Sequence, residues 1–396
     1  MNDKMLALGN NRSIIRELFE FSKKQKALLG DDKVYDFSLG NPSVPPHQNL
    51  NKELINLLQT KPDVFLHGYT SAQGDNAVRE KIANNLNKRF NTNYEFTDLY
   101  MTCGAAASLC IVFKALTEKA TDEIFAIAPY FTEYKVFVES AGATFKLVPA
   151  DLEKFQINFN ELEKMINKNT KAIIVNSPNN PTGVIYSKES LLKLADLLNK
   201  KAKEYNHPIY IVCDEPYREI AYDNLEVPHI PNLYKDTVVC YSYSKSLSLP
   251  GDRIGYVLVP KACADSKDLY AACLGAGRAL GYVCAPSLFQ HVIELCADLT
   301  SDMNEYAKNR DLLYNGLTKI GYECVYPQGA FYLFVKALED DANKFMENAK
   351  KYNLVVVPSD NFGVKGYVRL AYCVSSSTII NSMEAFEKLY KEYKGK

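Results

Sequence analysis

Apolar residues gather in short, regularly spaced runs along the first two thirds of the chain. The runs at 99–102, 124–127, 144–148, 172–175, 209–212, 238–241 and 254–259 are of strand length and rich in β-branched or aromatic residues. Most are continuously apolar, without alternation, which predicts strands covered on both faces, as in a largely parallel sheet with helical crossovers. Several gaps carry helical spacing, at 105–116 and 189–200 for example. Only a loop separates the last two runs, so at least one antiparallel strand is expected. Beyond residue 300 the pattern changes. Leu312, Leu313, Leu317 and Ile320 predict a helix over 304–320, with Gly321 as its stop. Strand-like runs at 331–335, 354–357 and 367–371 follow, alternating with helix-like segments, which reads as a smaller α+β unit. A helix from Ser13 to Leu29, stopped by Gly30, leads to the chain-reversing Gly40-Asn41-Pro42, expected to cross between domains.

At 396 residues, 47% of them hydrophobic, the chain exceeds one core and two domains are expected. Lys and Arg number 46 and Asp and Glu 47, a net charge of −1. No broad basic field exists to hold a phosphodiester backbone or an anionic membrane, so neither nucleic acid nor membrane is an expected partner. The amino-terminal stretch has no basic patch followed by an apolar core, and no apolar run approaches the ~18 residues of a spanning helix. Ten cysteines without a Cys-x-x-Cys pair, several inside apolar runs, point to free thiols and a reducing, cytoplasmic setting.

Candidate chemistry collects where strand-like runs end. Lys245 follows the 238–241 run in Ser242-Tyr243-Ser244-Lys245, with Arg253 eight positions later. A lysine that loses its proton near neutral pH can condense with an aldehyde, and a guanidinium with nearby hydroxyls matches a phosphate monoester. A solvated lysine and a surface arginine are the plainer readings of each residue alone. Gly104, Ala105 and Ala106 open a helix after the first run, where free backbone N–H groups and the helix dipole would face an anion, although helix packing asks for the same small residues. Asp214 ends the 209–212 run in Asp214-Glu215-Pro216-Tyr217, at the carboxyl edge where parallel sheets bind ligands. A buried carboxylate needs a partner, and a protonated heterocycle nitrogen would serve, with Tyr217 against a ring hydroxyl; capping a following helix is the alternative. Asn180 sits in the rigid turn Asn180-Pro181-Thr182-Gly183. Phe131 could stack on a flat ring or simply join the core. Arg369, flanked by Val368 and Leu370, points either to solvent or toward a substrate carboxylate.

Read in order, Gly40-Asn41-Pro42, Tyr69 with Gly74 and Arg79-Glu80, Asn180-Pro181-Thr182-Gly183, Asp214-x-x-Tyr217, Ser242-x-x-Lys245 with Arg253, and Arg369 resemble the class I/II pyridoxal-phosphate aminotransferases of fold type I, the aspartate aminotransferase-like group. The resemblance spans nearly the whole chain. It implies an α/β large domain over 46–295, with a mostly parallel seven-stranded sheet covered by helices, and a smaller α+β domain formed by both chain ends, 1–45 and 296–396. It implies pyridoxal 5'-phosphate as cofactor, with Lys245 as the Schiff-base residue and proton shuttle and Asp214 beside the pyridine nitrogen. Tyr217 and Asn180 would bond the ring oxygen, and Phe131 would stack on the ring. The phosphate would be held by Gly104, Ala105, Ala106, Ser242, Ser244, Arg253 and Tyr69 from a second subunit, which implies a homodimer with active sites at the subunit interface. Arg369 and the Gly40 backbone would take the substrate's α-carboxylate.

The expected reaction is ping-pong transfer of an amino group between an L-amino acid, aspartate or a related dicarboxylate, and a 2-oxo acid such as 2-oxoglutarate. A C–S lyase of the same fold acting on sulfur amino acids is the alternative, because the cofactor residues would be the same. Two departures stand out: Ala105-Ala106-Ala107 lacks the polar side chains common in this phosphate loop, and Asn-Pro-Ser-Val-Pro-Pro replaces the frequent Glu-Pro-Asp-Phe pattern after Gly40. Arg278 lies near the region where dicarboxylate-specific relatives carry an arginine for the distal carboxylate.

Overall fold

The computed structural model describes residues 1–10 and 14–395, and they form two compact units. The larger comprises residues 44–180 and 184–303. Its seven-stranded sheet runs in the order Leu99–Thr102, Gly255–Leu258, Thr237–Ser242, Tyr210–Glu215, Thr170–Asn176, Glu123–Ile127, Thr144–Val148. Gly255–Leu258 is antiparallel to both neighbours, and the remaining pairs are parallel. The mostly parallel sheet with one reversed strand is the arrangement the apolar runs predict, and five of its strands are buried along their whole length. Two hydrophobic clusters flank the sheet, because successive side chains leave on opposite faces. Ile211 and Cys213 join one cluster, and Tyr210 and Val212 the other.

The smaller unit comprises residues 1–43, 181–183 and 304–396. Val357–Pro358, Tyr367–Ala371, Tyr332–Lys336 and Cys324–Val325 form an antiparallel sheet in that order. A separate parallel pair joins Tyr35–Asp36 to Leu354–Val355. The run at 354–357, expected as one strand, is thus two short ones serving different sheets, with the break at Val356. Helices Asp3–Asn10, Ile14–Leu29, Asn304–Ile320, Ala342–Lys350 and Ser376–Lys394 belong to the same unit. The helix expected from Ser13 is described from Ile14, Ser13 itself lying outside the described residues. Gly30 (φ 97°) and Gly321 (φ 119°) take left-handed backbone where their helices stop. Tyr306, Phe331, Phe334, Phe345 and Tyr372 are fully buried in its core.

Candidate active site

Strand register in the larger unit brings most of the candidate residues to one edge of the sheet. Asn176, Asp214 and Cys240 stand level across three parallel strands, and Ser242, at the end of the third of these, stands level with Gly255 and Thr102 on the two strands beyond it. This is the carboxyl edge, where loops leave the strands and ligands enter such sheets.

Asp214 is 5% exposed. Its Oδ2 accepts a hydrogen bond from the Tyr134 hydroxyl at 2.5 Å, while its Oδ1 is buried without a partner. Burial pushes the carboxyl up to about 7; the Tyr134 bond opposes that rise and Glu215 adds to it. The acid is therefore poised for a cationic donor at Oδ1. The Tyr134 ring also meets Phe131 edge-on at 5.5 Å, which ties the Phe131 loop to the carboxylate. Tyr217, three residues past Asp214, is buried as well. Asn176 donates from Nδ2 to the Asp214 carbonyl at 2.9 Å and accepts from the Asn180 N–H at 2.8 Å. That chain of two bonds fixes Asn180 against the strand end, and the Asn179 N–H closes the turn on the Val184 carbonyl at 2.9 Å.

The strand Thr237–Ser242 passes directly into a single helical turn, Tyr243–Ser246, with Ser242 as its N-cap. Ser242 Oγ accepts from the Ser244 N–H at 3.2 Å and shares a hydrogen with Ser244 Oγ at 2.6 Å. Lys245 is half-buried in this turn. Arg253 adopts φ 55° and donates from Nη1 to the Pro250 carbonyl at 2.8 Å and from Nη2 to the Cys103 carbonyl at 3.1 Å. Those bonds aim its guanidinium at Gly104, whose missing Cβ would lie 3.0 Å from Nη2. Gly104 (φ 90°) caps the helix Ala105–Leu116 without a side-chain bond, so the N–H groups of Ala105 and Ala106 keep their donor capacity. Arg253, Gly104 and this helix start make an anion cradle. Tyr69 is 91% exposed, and Arg278 is exposed on the helix Ser266–Ala279; neither joins the buried cluster within one chain.

In the smaller unit Arg369 is 2% exposed and does not point to solvent. Its Nη2 donates to the Ser38 carbonyl at 2.6 Å, and the guanidinium lies 4.6 Å from the Tyr332 ring centre and 5.3 Å from that of Phe362. Gly40 is required here, since a Cβ would fall 2.1 Å from the Tyr332 hydroxyl oxygen.

Sequence reasoning missed Tyr134 and Asn176. The available signals were slight: Tyr134 follows Phe131 by one helical turn, and Asn176 ends a strand beside the rigid turn.

Comparison with known proteins places this geometry in context. The family model "Aminotransferase class I and II" matches residues 16–386. A crystal structure of an amino transferase from Eubacterium rectale is 58% identical, covering 99% of both chains with a TM-score of 0.98. The aspartate aminotransferase of Thermotoga maritima is 29% identical over 94% of this chain and 96% of its own length. Aromatic-amino-acid aminotransferase 2 of Thermococcus litoralis is 27% identical over 97% of each. With the family model covering nearly its whole length, the chain belongs to the class I and II aminotransferases and is a transaminase.

Proposed function

We propose that the chain transfers an amino group between an L-amino acid, aspartate or a related dicarboxylate, and a 2-oxo acid such as 2-oxoglutarate, using pyridoxal 5'-phosphate in a ping-pong cycle. One observation carries the reading: the buried Asp214 carboxylate, whose Oδ1 lacks a donor at the ligand-binding edge of the sheet. Such an oxygen is costly unless a donor faces it, and a protonated pyridine nitrogen is a donor of the right kind. The anion cradle of Gly104, Ala105, Ala106 and Arg253, with the Ser242 and Ser244 hydroxyls, suits the phosphate ester. The residues present therefore fit the cofactor.

When bound, the cofactor supplies an aldehyde that condenses with amines and a cationic ring that takes up the electron pair left at Cα. Lys245 Nζ is the amine that would hold the cofactor covalently at rest, and it would carry the proton from the substrate Cα. Asp214 keeps the ring nitrogen protonated. Tyr217 and Asn180 would hydrogen-bond the ring oxygen, and Phe131 would stack on the ring. Arg369, with the Gly40 backbone, binds the substrate α-carboxylate and so orients the Cα–H bond. Arg278 reads the distal carboxylate. The exposed Tyr69 reaches the phosphate of a second copy, so the active form is a homodimer. Ten free cysteines suit a cytoplasmic enzyme.

The test is optical. The purified protein should carry the visible band of a lysine-bound pyridoxal phosphate, and aspartate alone should convert it to the pyridoxamine form. A protein without that band overturns the cofactor reading. Release of pyruvate and ammonia from a sulfur amino acid, with no acceptor present, would assign a lyase instead.

A further inference from the structure

Asp214 has a second acid beside it. Side chains alternate along a strand, so Glu215 leaves the sheet on the face opposite Asp214. It is 3% exposed, yet both its oxygens are taken: Arg218 Nε donates to Oε2 at 2.6 Å and Arg218 Nη2 donates to Oε1. Arg218 is itself 3% exposed, and its Nη1 donates to the Val227 carbonyl at 3.3 Å. Burial opposes the charge on this guanidinium, but Glu215 outweighs it and holds the proton on more tightly than usual. The guanidinium also lies 5.0 Å from the Phe90 ring centre, on which His229 stacks at 4.1 Å. Burial and the neighbouring Arg218 and Arg89 keep His229 neutral down to about 3. Glu219, the next acid along, is held by Arg89 at 2.7 Å. The cluster thus balances two carboxylates with two guanidiniums.

The other titratable groups around Asp214 are Tyr134 on the helix Glu133–Ser140, Tyr217 in the following turn, Cys213 on its own strand and Cys240 on the next. Burial pushes Tyr134, Cys213 and Cys240 well up, so none of these three carries charge near neutral pH. Without the counter-charge of Arg218, the negative charge of Glu215 would act undiminished through the strand on Asp214 and favour its protonated form. The Asp214 carboxyl, which burial and, more weakly, Glu215 already lift to about 7 against the Tyr134 bond, would then hold its proton to higher pH.

Resting on the assignment of Asp214 to the ring nitrogen, we propose that Arg218 is a positioning residue for the cofactor site. It neutralises Glu215 with a two-point clamp, so that the charge of Glu215 opposes a negative charge on Asp214 less and the Asp214 carboxylate is left for the ring. It touches neither cofactor nor substrate.

The experiment is an equilibrium titration of cofactor-free protein with pyridoxal phosphate between pH 6 and 9, read by the visible band and intrinsic fluorescence. For Arg218→Met the dissociation constant should rise by about tenfold at pH 7, with the loss shrinking toward pH 9 as Asp214 ionises. The double variant Glu215→Gln/Arg218→Met removes the competing acid and should return to within about threefold of wild type. If Arg218→Met does not fold, Arg218→Lys, a point charge without the fork, should show the same pH trend with a loss of about threefold. Arg218→Met or Arg218→Lys binding with the wild-type constant, or weakening equally at all pH values without rescue in the double variant, overturns the inference while leaving the cofactor reading intact. A wild-type chain that binds no pyridoxal phosphate overturns both.

Discussion

The Tyr134 hydroxyl donates to Oδ2 of Asp214 at 2.5 Å across 80 residues of sequence, and this one bond opposes the burial that would otherwise protonate the acid further. Tyr134→Phe should raise the Asp214 carboxyl further above its present value of about 7. One lost hydrogen bond to a charged group corresponds to a cofactor affinity about tenfold lower at pH 7. A titration repeated at pH 9 should show a smaller loss. Equal affinity for wild type and variant at pH 7 would mean the bond does not tune the acid.

Asp214 also gives cofactor-free protein a distinctive pH dependence. Its folded value of about 7 lies above the ordinary 3.8, so between those limits the folded state holds a proton that the unfolded state has released. Its contribution is complete below the ordinary value and is lost as pH rises toward 7. Asp214→Asn should therefore gain stability over wild type across this window, by on the order of 2–4 kcal/mol, and stay level above it. His229, pushed down to about 3, slopes the other way, but it cancels in the difference. Urea unfolding of both proteins at a series of pH values measures the effect, and parallel curves would contradict it.

Gly40→Ala would drive a methyl into the Tyr332 hydroxyl, and the Tyr332 ring lies against Arg369. The overpacking should cost about 1–3 kcal/mol of stability and raise KM for the amino acid more than it lowers kcat. Adding Tyr332→Phe, which removes the clashing oxygen, should recover part of both. No recovery would show that the strain lies elsewhere in the Gly40 backbone.

Arg278→Ala should raise KM for aspartate by about tenfold or more, the worth of a charge-assisted contact, while alanine and phenylalanine change little. Steady-state kinetics on the three donors decide it. A uniform effect would remove the arginine from substrate recognition.

The large sheet was legible because its strands are buried on both faces and so read as unbroken apolar runs, and the helices at 105–116 and 304–320 were legible end to end from their spacing. The small unit was less so. Tyr35–Asp36 and Cys324–Val325 are two-residue strands defined by hydrogen bonds to distant partners, and no periodicity can develop over two positions. The same limit hid the break at Val356. Around the candidate site, Asp214 stood out because an acid closed an apolar run. Tyr134 did not, because an aromatic behind a strand looks like core until its hydroxyl is seen to meet an oxygen on another strand. For Arg369 the alternating pattern left solvent and interior equally open, and burial beneath Tyr332 and Phe362 decides between them.

The parallel pairing of Tyr35 with Leu354 and Asp36 with Val355 has a bearing on biosynthesis. A ribosome delivers the first strand roughly three hundred residues before its mate, so the leading segment must travel unpaired while the intervening sheet is made and folds. The smaller unit can close only after residues 354–355 have been made, and a chain arrested before residue 354 would carry an exposed strand edge, a ready target for chaperones or for aggregation.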